Sequence, residues 1–471
     1  MMRTLTLLAG ILIASDAFAA DPPMIDESLY QLEGADLLIP DWAGKREDEP
    51  FNVREFLESR MPPERNAAPL YLYAARKIGG DTTGLQKLPD TVEDGKVIKN
   101  FQVTSPRHTD SQWIKENATS AEARKLLRGA AEGFQLIDAA QERPECVFVT
   151  GLQHDSATLP MGMPRSLGPL SALEIANASA AGDFDRADLA LKRALRFSRD
   201  LRPRGPVIHQ LYASAVEANA LRGIVDSYLA SKKLKVADCD RLIALLQEHQ
   251  KQSVDSLTEG LRMDYIGLAS LLHMYDAGLA PEKMTIENSG IFNFDLEFQE
   301  LNRLYSLVLK AAADEPDTRR TFQFIDAERN RLREKAAGEL LLVLPMLGTL
   351  DKSTFKMKSV AFVLQSWGSP NQFIDVMKKK EATLNGTLCL IAVRRYQLEH
   401  NKKSPSDLET ALREAGIDEV PRDPYDGRSM KYASVFGRPV VYAIGLDRQD
   451  DSGLIESFGA NQPGDLLLRL P

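Results

Sequence analysis

Leu170-Ser-Ala-Leu-Glu-Ile-Ala-Asn-Ala-Ser-Ala-Ala-Gly182-Asp183-Phe184-Asp-Arg-Ala-Asp-Leu-Ala-Leu-Lys-Arg-Ala-Leu-Arg-Phe-Ser-Arg-Asp-Leu201 decides the architecture. Apolar residues recur at three- and four-residue intervals on either side of Gly182-Asp183, the spacing of amphipathic helices. Glycine ends the first helix and aspartate caps the second. A link of two residues leaves no room for the chain to cross over, so the helices run antiparallel as an α-hairpin. Downstream of Pro203 and Pro206 the pattern continues, with Ile208, Leu211, Ala215, Ala218, Leu221, Val225 and Tyr228 on one face. Further helical runs cover residues 238–249, 253–275, 295–313 and 318–335. No strict repeat period unites them, so a helical bundle and a stack of α-hairpins both fit. Residues 338–350 form the most apolar internal run, but it is too short for a membrane span and carries Pro345, which predicts a buried helix.

Upstream, Asn66-Ala-Ala-Pro-Leu-Tyr71 opens a helix and residues 120–141 form another. Residues 20–65 are interrupted by prolines at 22, 23, 40, 50, 62 and 63, which predicts an irregular leader lying over a core surface. The first nineteen residues have the features of a signal peptide: Arg3, an apolar stretch, then Ala17-Phe-Ala19. The expected division is a signal peptide at 1–19, the leader at 20–65, a helical domain at 66–369 and a small α+β module at 370–471. The fold class is therefore mainly α. With 471 residues, the chain has the length of two or three domains and needs no disulfide scaffold. Of the three cysteines, Cys389 lies in an apolar helical run, and a Cys146–Cys239 bond is open after export.

The module begins with a long helix over 372–401, followed by Ser404-Pro-Ser-Asp407, where Ser404 is the expected cap of a second helix. Pro421-Arg-Asp-Pro-Tyr-Asp-Gly427 marks a turn, and alternating residues at 430–433, 439–444 and 466–470 supply strands. Between the last two lies Gly445-Leu-Asp-Arg-Gln-Asp-Asp-Ser-Gly453. Asp447, Asp450 and Asp451 place three carboxylates within five residues, and Gly445 and Gly453 let the backbone curl so that carbonyls can join them. Hard cations such as calcium take this kind of oxygen-rich loop.

Taken together, Ser404-Pro-Ser-Asp-Leu408, Pro421-Arg-Asp-Pro424, Gly427, Tyr432, Tyr442-Ala-Ile-Gly445, Asp447 and Asp450-Asp-Ser-Gly453 resemble the globular domain of type II secretion major pseudopilins. They look closer still to the C-terminal domain of large exported proteins of planctomycete-type bacteria, in which an all-helical region precedes it. The resemblance covers residues 381–471. It implies a long helix packed on a small antiparallel sheet, and calcium at Asp447, Asp450 and Asp451. It brings no activity. Pseudopilins build filaments through an apolar N-terminal helix, and here some 350 residues and a secretion-type leader stand in its place.

The formal charge of −9 argues against nucleic-acid binding, which requires a basic face. The six histidines show no paired helical spacing, and no nucleophile elbow or phosphate-cradling glycine loop occurs. The expected role is therefore non-catalytic: a periplasmic or extracellular protein, structural or interaction-mediating, whose helical region offers a groove or face to an envelope protein or surface polymer. No transmembrane segment is expected after cleavage. The alternative is an extracytoplasmic hydrolase with a carboxylate pair in a cleft of the helical domain, the carboxyls about 5–10 Å apart.

Overall fold

Gly182 and Asp183 make the hairpin as their chemistry requires. Gly182 takes a positive φ of 81°, and the Asp183 side chain accepts the Arg186 N–H at 3.2 Å. The computed structural model describes residues 40–57, 65–78, 92–93, 96–97, 111–148, 162–253, 256–277, 292–313, 318–343, 356–358, 370–445, 447–454, 456 and 464–470. The expected signal peptide, most of the proline-rich leader and the end of the 338–350 run lie outside the described residues.

The chain is mainly helical, and its helices in order are α1 (Val53–Leu57), α2 (Ala68–Ile78), α3 (Ser111–Asn117), α4 (Ala121–Gln141), α5 (Gly162–Ala181), α6 (Phe184–Asp200), α7 (Val207–Gly223), α8 (Val236–Gln252), α9 (Ser256–Asp276), α10 (Phe294–Ala313), α11 (Thr318–Val343), α12 (Pro370–Glu399) and α13 (Leu408–Glu414). A two-strand ladder, β1 (Val92–Glu93) with β2 (Lys96–Val97), joins α2 to α3. A three-stranded antiparallel sheet closes the chain: β3 (Lys431–Val435), β4 (Arg438–Ala443) and β5 (Leu466–Arg469), with β4 in the middle.

Two helices depart from their spacing. Helix α5 starts upstream of Leu170 and runs through Pro169. The missing N–H bond is tolerated because α5 crosses α7 at close range: a Cβ on Gly168 would sit 3.3 Å from the Val216 Cα, and one on Gly223 3.0 Å from the Ala172 Cα. Packing of this kind overrides local propensity. Helix α7 turns a different face inward than its apolar residues predict. Its buried residues include His209, Gln210, Ser214 and Glu217, whereas Ala215 is exposed. It packs against α5, α6 and α12 and so has no single apolar stripe to read. It then widens into a π turn at Ile224–Tyr228.

One continuous core runs from Tyr71 and Phe134 through Leu191, Phe197 and Leu242 into Ile391, Leu412 and Val441. Each such side chain, taken out of water, contributes about 1.5–3 kcal/mol. Helix α12 is the shared wall: its later turns lie in this core, while Phe373, Ile374 and Met377 join a second cluster. That second cluster gathers α9, α10 and the leader residues Trp42, Val53 and Leu57. This part of the leader lies on a core surface, but it is not irregular throughout, since Val53–Leu57 is helical with Val53 and Leu57 buried. On the sheet side, α12 approaches β5 at Gly386, where a Cβ would lie 2.5 Å from the Leu468 Cδ1. Helix α13 corrects one capping assignment. Asp407, not Ser404, is its N-cap and accepts the Thr410 N–H at 2.7 Å. Ser404 instead accepts from the Gln397 amide at 3.3 Å. Among the described residues no helix is long and apolar enough to cross a membrane.

Candidate functional site

The aspartate loop is built by short-range turns. Asp447 accepts the Gln449 N–H at 3.1 Å, and Asp450 accepts the Ser452 N–H at 2.9 Å and the Tyr442 hydroxyl at 3.2 Å. The residue that anchors the loop is Asp465, which lies 12 to 14 residues beyond the N–H groups it accepts and outside any local pattern. Fully buried, it accepts the Gly453 N–H at 2.8 Å and the Asp451 N–H at 3.4 Å. Burial pushes its carboxyl above the usual range, and the nearby charges of Asp451 and Asp450 push the same way. Gly445 has a φ of 68° and passes so close to Gly464 that a Cβ would meet its carbonyl oxygen at 2.1 Å. The carboxyl oxygens of Asp447, Asp450 and Asp451 do not all lie within 4.8 Å of one another. Among the described residues, the acidic and histidine group whose ligand atoms lie within 4.8 Å of one another is Glu399, His400 and Glu414. That group ties the end of α12 to α13: His400 Nε2 is 2.8 Å from Glu414, and Arg395 donates to Glu399 at 2.7 Å.

Asp423 explains why the Pro421–Gly427 turn has its sequence. Its two oxygens accept the N–H groups of Tyr425 and Ile444, each at 2.8 Å, fastening the turn to the end of β4. It is a buried structural carboxylate, with burial raising its pKa above the ordinary value.

The helical body holds a cleft of about 540 Å³ between the C-terminal ends of α6 and α8, the 144–147 segment and the 203–204 turn. Four arginines crowd the stretch that feeds it: 196, 199, 202 and 204. Three of them, Arg196, Arg199 and Arg204, line the cleft, with Asp200, Glu145 and Glu259 among the acids and Pro144, Val147 and Pro203 supplying apolar wall. Each acid already has a donor. Asp200 accepts the Tyr71 hydroxyl at 2.6 Å and pairs with Arg196 at 2.9 Å. Glu145 pairs with Arg65, and Glu259 accepts the Arg204 backbone N–H at 2.9 Å. Burial pushes the Asp200 carboxyl up, with Arg196 opposing the shift. Burial also pushes the Cys146 thiol well up, so it is no nucleophile there. Cys146, Cys239 and Cys389 are all buried free thiols, so the bond left open between the first two is not made.

Behind the cleft lies a buried charge cluster. Arg199 Nη1 lies 3.4 Å from His249 Nδ1. A guanidinium can only donate, so Nδ1 is the accepting nitrogen and the ring proton sits on Nε2. His249 Nε2 is 3.2 Å from Glu217, which also accepts from Arg202 at 2.9 Å and Ser198 at 3.1 Å. Glu217, Arg202 and His249 are fully buried. Burial works against the Glu217 charge, but Lys380 on α12, His249 and Arg202 outweigh it and hold the carboxyl well below its ordinary range. Lys380 belongs to the Lys378-Lys-Lys380 run, whose sequence suggests only a solvated helix face. Arg193 repeats the pattern at the hairpin: almost wholly buried, it forks to Asp138 at 2.7 and 2.8 Å and to Glu174 at 2.8 Å.

The signal of this cleft in the sequence is the density of arginine between residues 196 and 204, at the end of a helix and beside Pro203 and Pro206. Compared with family models, curated proteins and solved structures, the chain finds no match.

Proposed function

We propose that the protein acts outside the cytoplasm as a non-catalytic binding protein, and that the cleft between α6 and α8 is where its helical body receives a ligand or partner. The observation that carries this reading is that each acid of the cleft is already held: Asp200 by Tyr71 and Arg196, Glu145 by Arg65, Glu259 by a backbone N–H. General acid–base work needs a carboxyl within reach of substrate and poised to exchange its proton. A wall of arginines over engaged acids is suited to holding a ligand instead. The test is retention of partners from an envelope extract on the full chain, compared with Gln252→Trp, which fills the cleft from its exposed rim. A partner kept by the parent and lost by the variant supports the reading. The same set kept by both contradicts it.

Calcium at Asp447, Asp450 and Asp451 is a separate proposal, supported by like charge. Asp450 and Asp451 both act on buried Asp465, and a divalent cation would relieve that repulsion. Thermal melts in millimolar calcium and in chelator check it. An upward shift with calcium that disappears in Asp450→Asn is the expected result, and superimposable melts would remove calcium from the account.

A further inference from the structure

We propose that the cleft binds a small ligand through an oxyanion, a carboxylate or phosphate, and that Arg199 is the residue that grips it. This rests on the reading of the cleft as a binding site and adds the chemistry of what binds.

Arg199 is partly buried at the cleft wall. Among the described residues it forms no ion pair with a carboxylate, and its hydrogen-bond contact is the imidazole of His249. The neighbouring Arg196 is spent on Asp200 and on the Arg143 carbonyl, 3.1 Å away. A guanidinium carries five N–H donors in a planar fork that matches carboxylate and phosphate geometry. One directed at His249 leaves most of the fork for an acceptor that the protein does not itself provide. The buried Arg193 makes the contrast: it has two carboxylates, and its fork is filled.

A second observation comes from the backbone. Arg204 has a φ of 51°, a left-handed conformation that side chains other than glycine rarely adopt. It stands between Pro203 and Gly205, and a Cβ on Gly205 would lie 2.2 Å from the Leu201 carbonyl oxygen, so the turn is closely packed. The Arg204 N–H is fixed by Glu259. Strain retained in such a turn is characteristic of residues that a binding site needs in one place, and here it sets Arg204 on the wall that Arg199 also lines. A cavity of about 540 Å³ falls within the range that takes a small molecule. Its Pro144, Val147 and Pro203 wall would receive an apolar body behind the anionic head.

The full chain is titrated calorimetrically with inorganic phosphate and, separately, with succinate, against sodium chloride of equal ionic strength. Saturable binding of phosphate alone identifies a phosphate ligand, of succinate alone a carboxylate ligand, and of both a general oxyanion site. All three support the proposal if Arg199→Gln weakens binding about tenfold to a hundredfold, the loss of one charge-assisted contact, while Arg199→Lys retains part of it. Should Arg199→Gln fail to fold, Arg204→Gln takes its place with the same expected weakening. No binding of either anion, or undiminished binding in the variants, overturns the proposal. If Gln252→Trp nevertheless releases a partner, the cleft binds something other than an oxyanion, and only the anion assignment falls.

Discussion

The two halves of the molecule hold their buried carboxylates in opposite ways. In the C-terminal module, Asp423 and Asp465 accept neutral backbone N–H groups, one of them two residues away and the other three 12 to 21 residues away. In the helical body, Glu217 is held by the charges of Arg202 and Lys380 and by the imidazole of His249, which come from three different parts of the chain. The first arrangement fastens turns to a sheet and leaves nothing unspent. The second puts charge in the interior next to a cleft and leaves Arg199 with an imidazole in place of an acid. The body is thus the half built to receive an anion, and the module the half built to stay closed.

The contrast predicts unequal costs. Glu217→Ala leaves Arg202 buried without its partner and should lower stability by about 3–5 kcal/mol, read by urea unfolding at neutral pH. Replacing the pair together, as Glu217→Leu with Arg202→Met, should recover most of that loss. If the double change costs as much as the single one, the interior charges are not acting as a compensated set.

His209 sharpens the comparison through pH. It is almost completely buried in α7 against Phe148, and burial pushes its pKa down to about 4. The unfolded chain takes up a proton near pH 6.5 while the folded protein resists until about 4. The unfolded state therefore binds more protons in this window, and stability falls as the pH drops through it. The expected loss is about 3 kcal/mol between the two values, and His209→Leu should flatten that part of the curve. An unchanged slope in the variant would place the acid sensitivity elsewhere.

In the module, Asp423→Ala should cost about 2 kcal/mol by orphaning two buried N–H groups, less than Glu217→Ala. The reverse order would undo the contrast between the halves. The smallest effect has the opposite sign: Arg204→Gly should raise stability by about 1 kcal/mol by releasing its left-handed backbone. In the same protein, anion affinity should fall.

How much of this the sequence disclosed follows the same division. The α-hairpin, the order of helices and the three strands were readable because glycine, aspartate and periodicity act over a few residues. The same is true of Pro421–Gly427 as a turn, although the task of Asp423 depends on Ile444, which no local pattern reveals. Asp447 and Asp450 were singled out for their density, yet each closes its own turn, and Asp465 carries the loop from beyond it. Helix α7 misled because burial on several sides removes the apolar stripe, and its inward face carries Gln210, Ser214 and Glu217. The cleft was hidden for a similar reason. Arg196, Arg199 and Arg204 look like a solvated basic run until α8 brings His249 behind them.

The most direct test is a crystal of the full chain grown with selenate, an oxyanion whose selenium scatters anomalously. An anomalous peak within hydrogen-bonding reach of the Arg199 guanidinium, lost in Arg199→Gln crystals, is the result expected. A cleft without anomalous density, at a selenate concentration that saturates other sites, would contradict the assignment of Arg199 as the anion's holder.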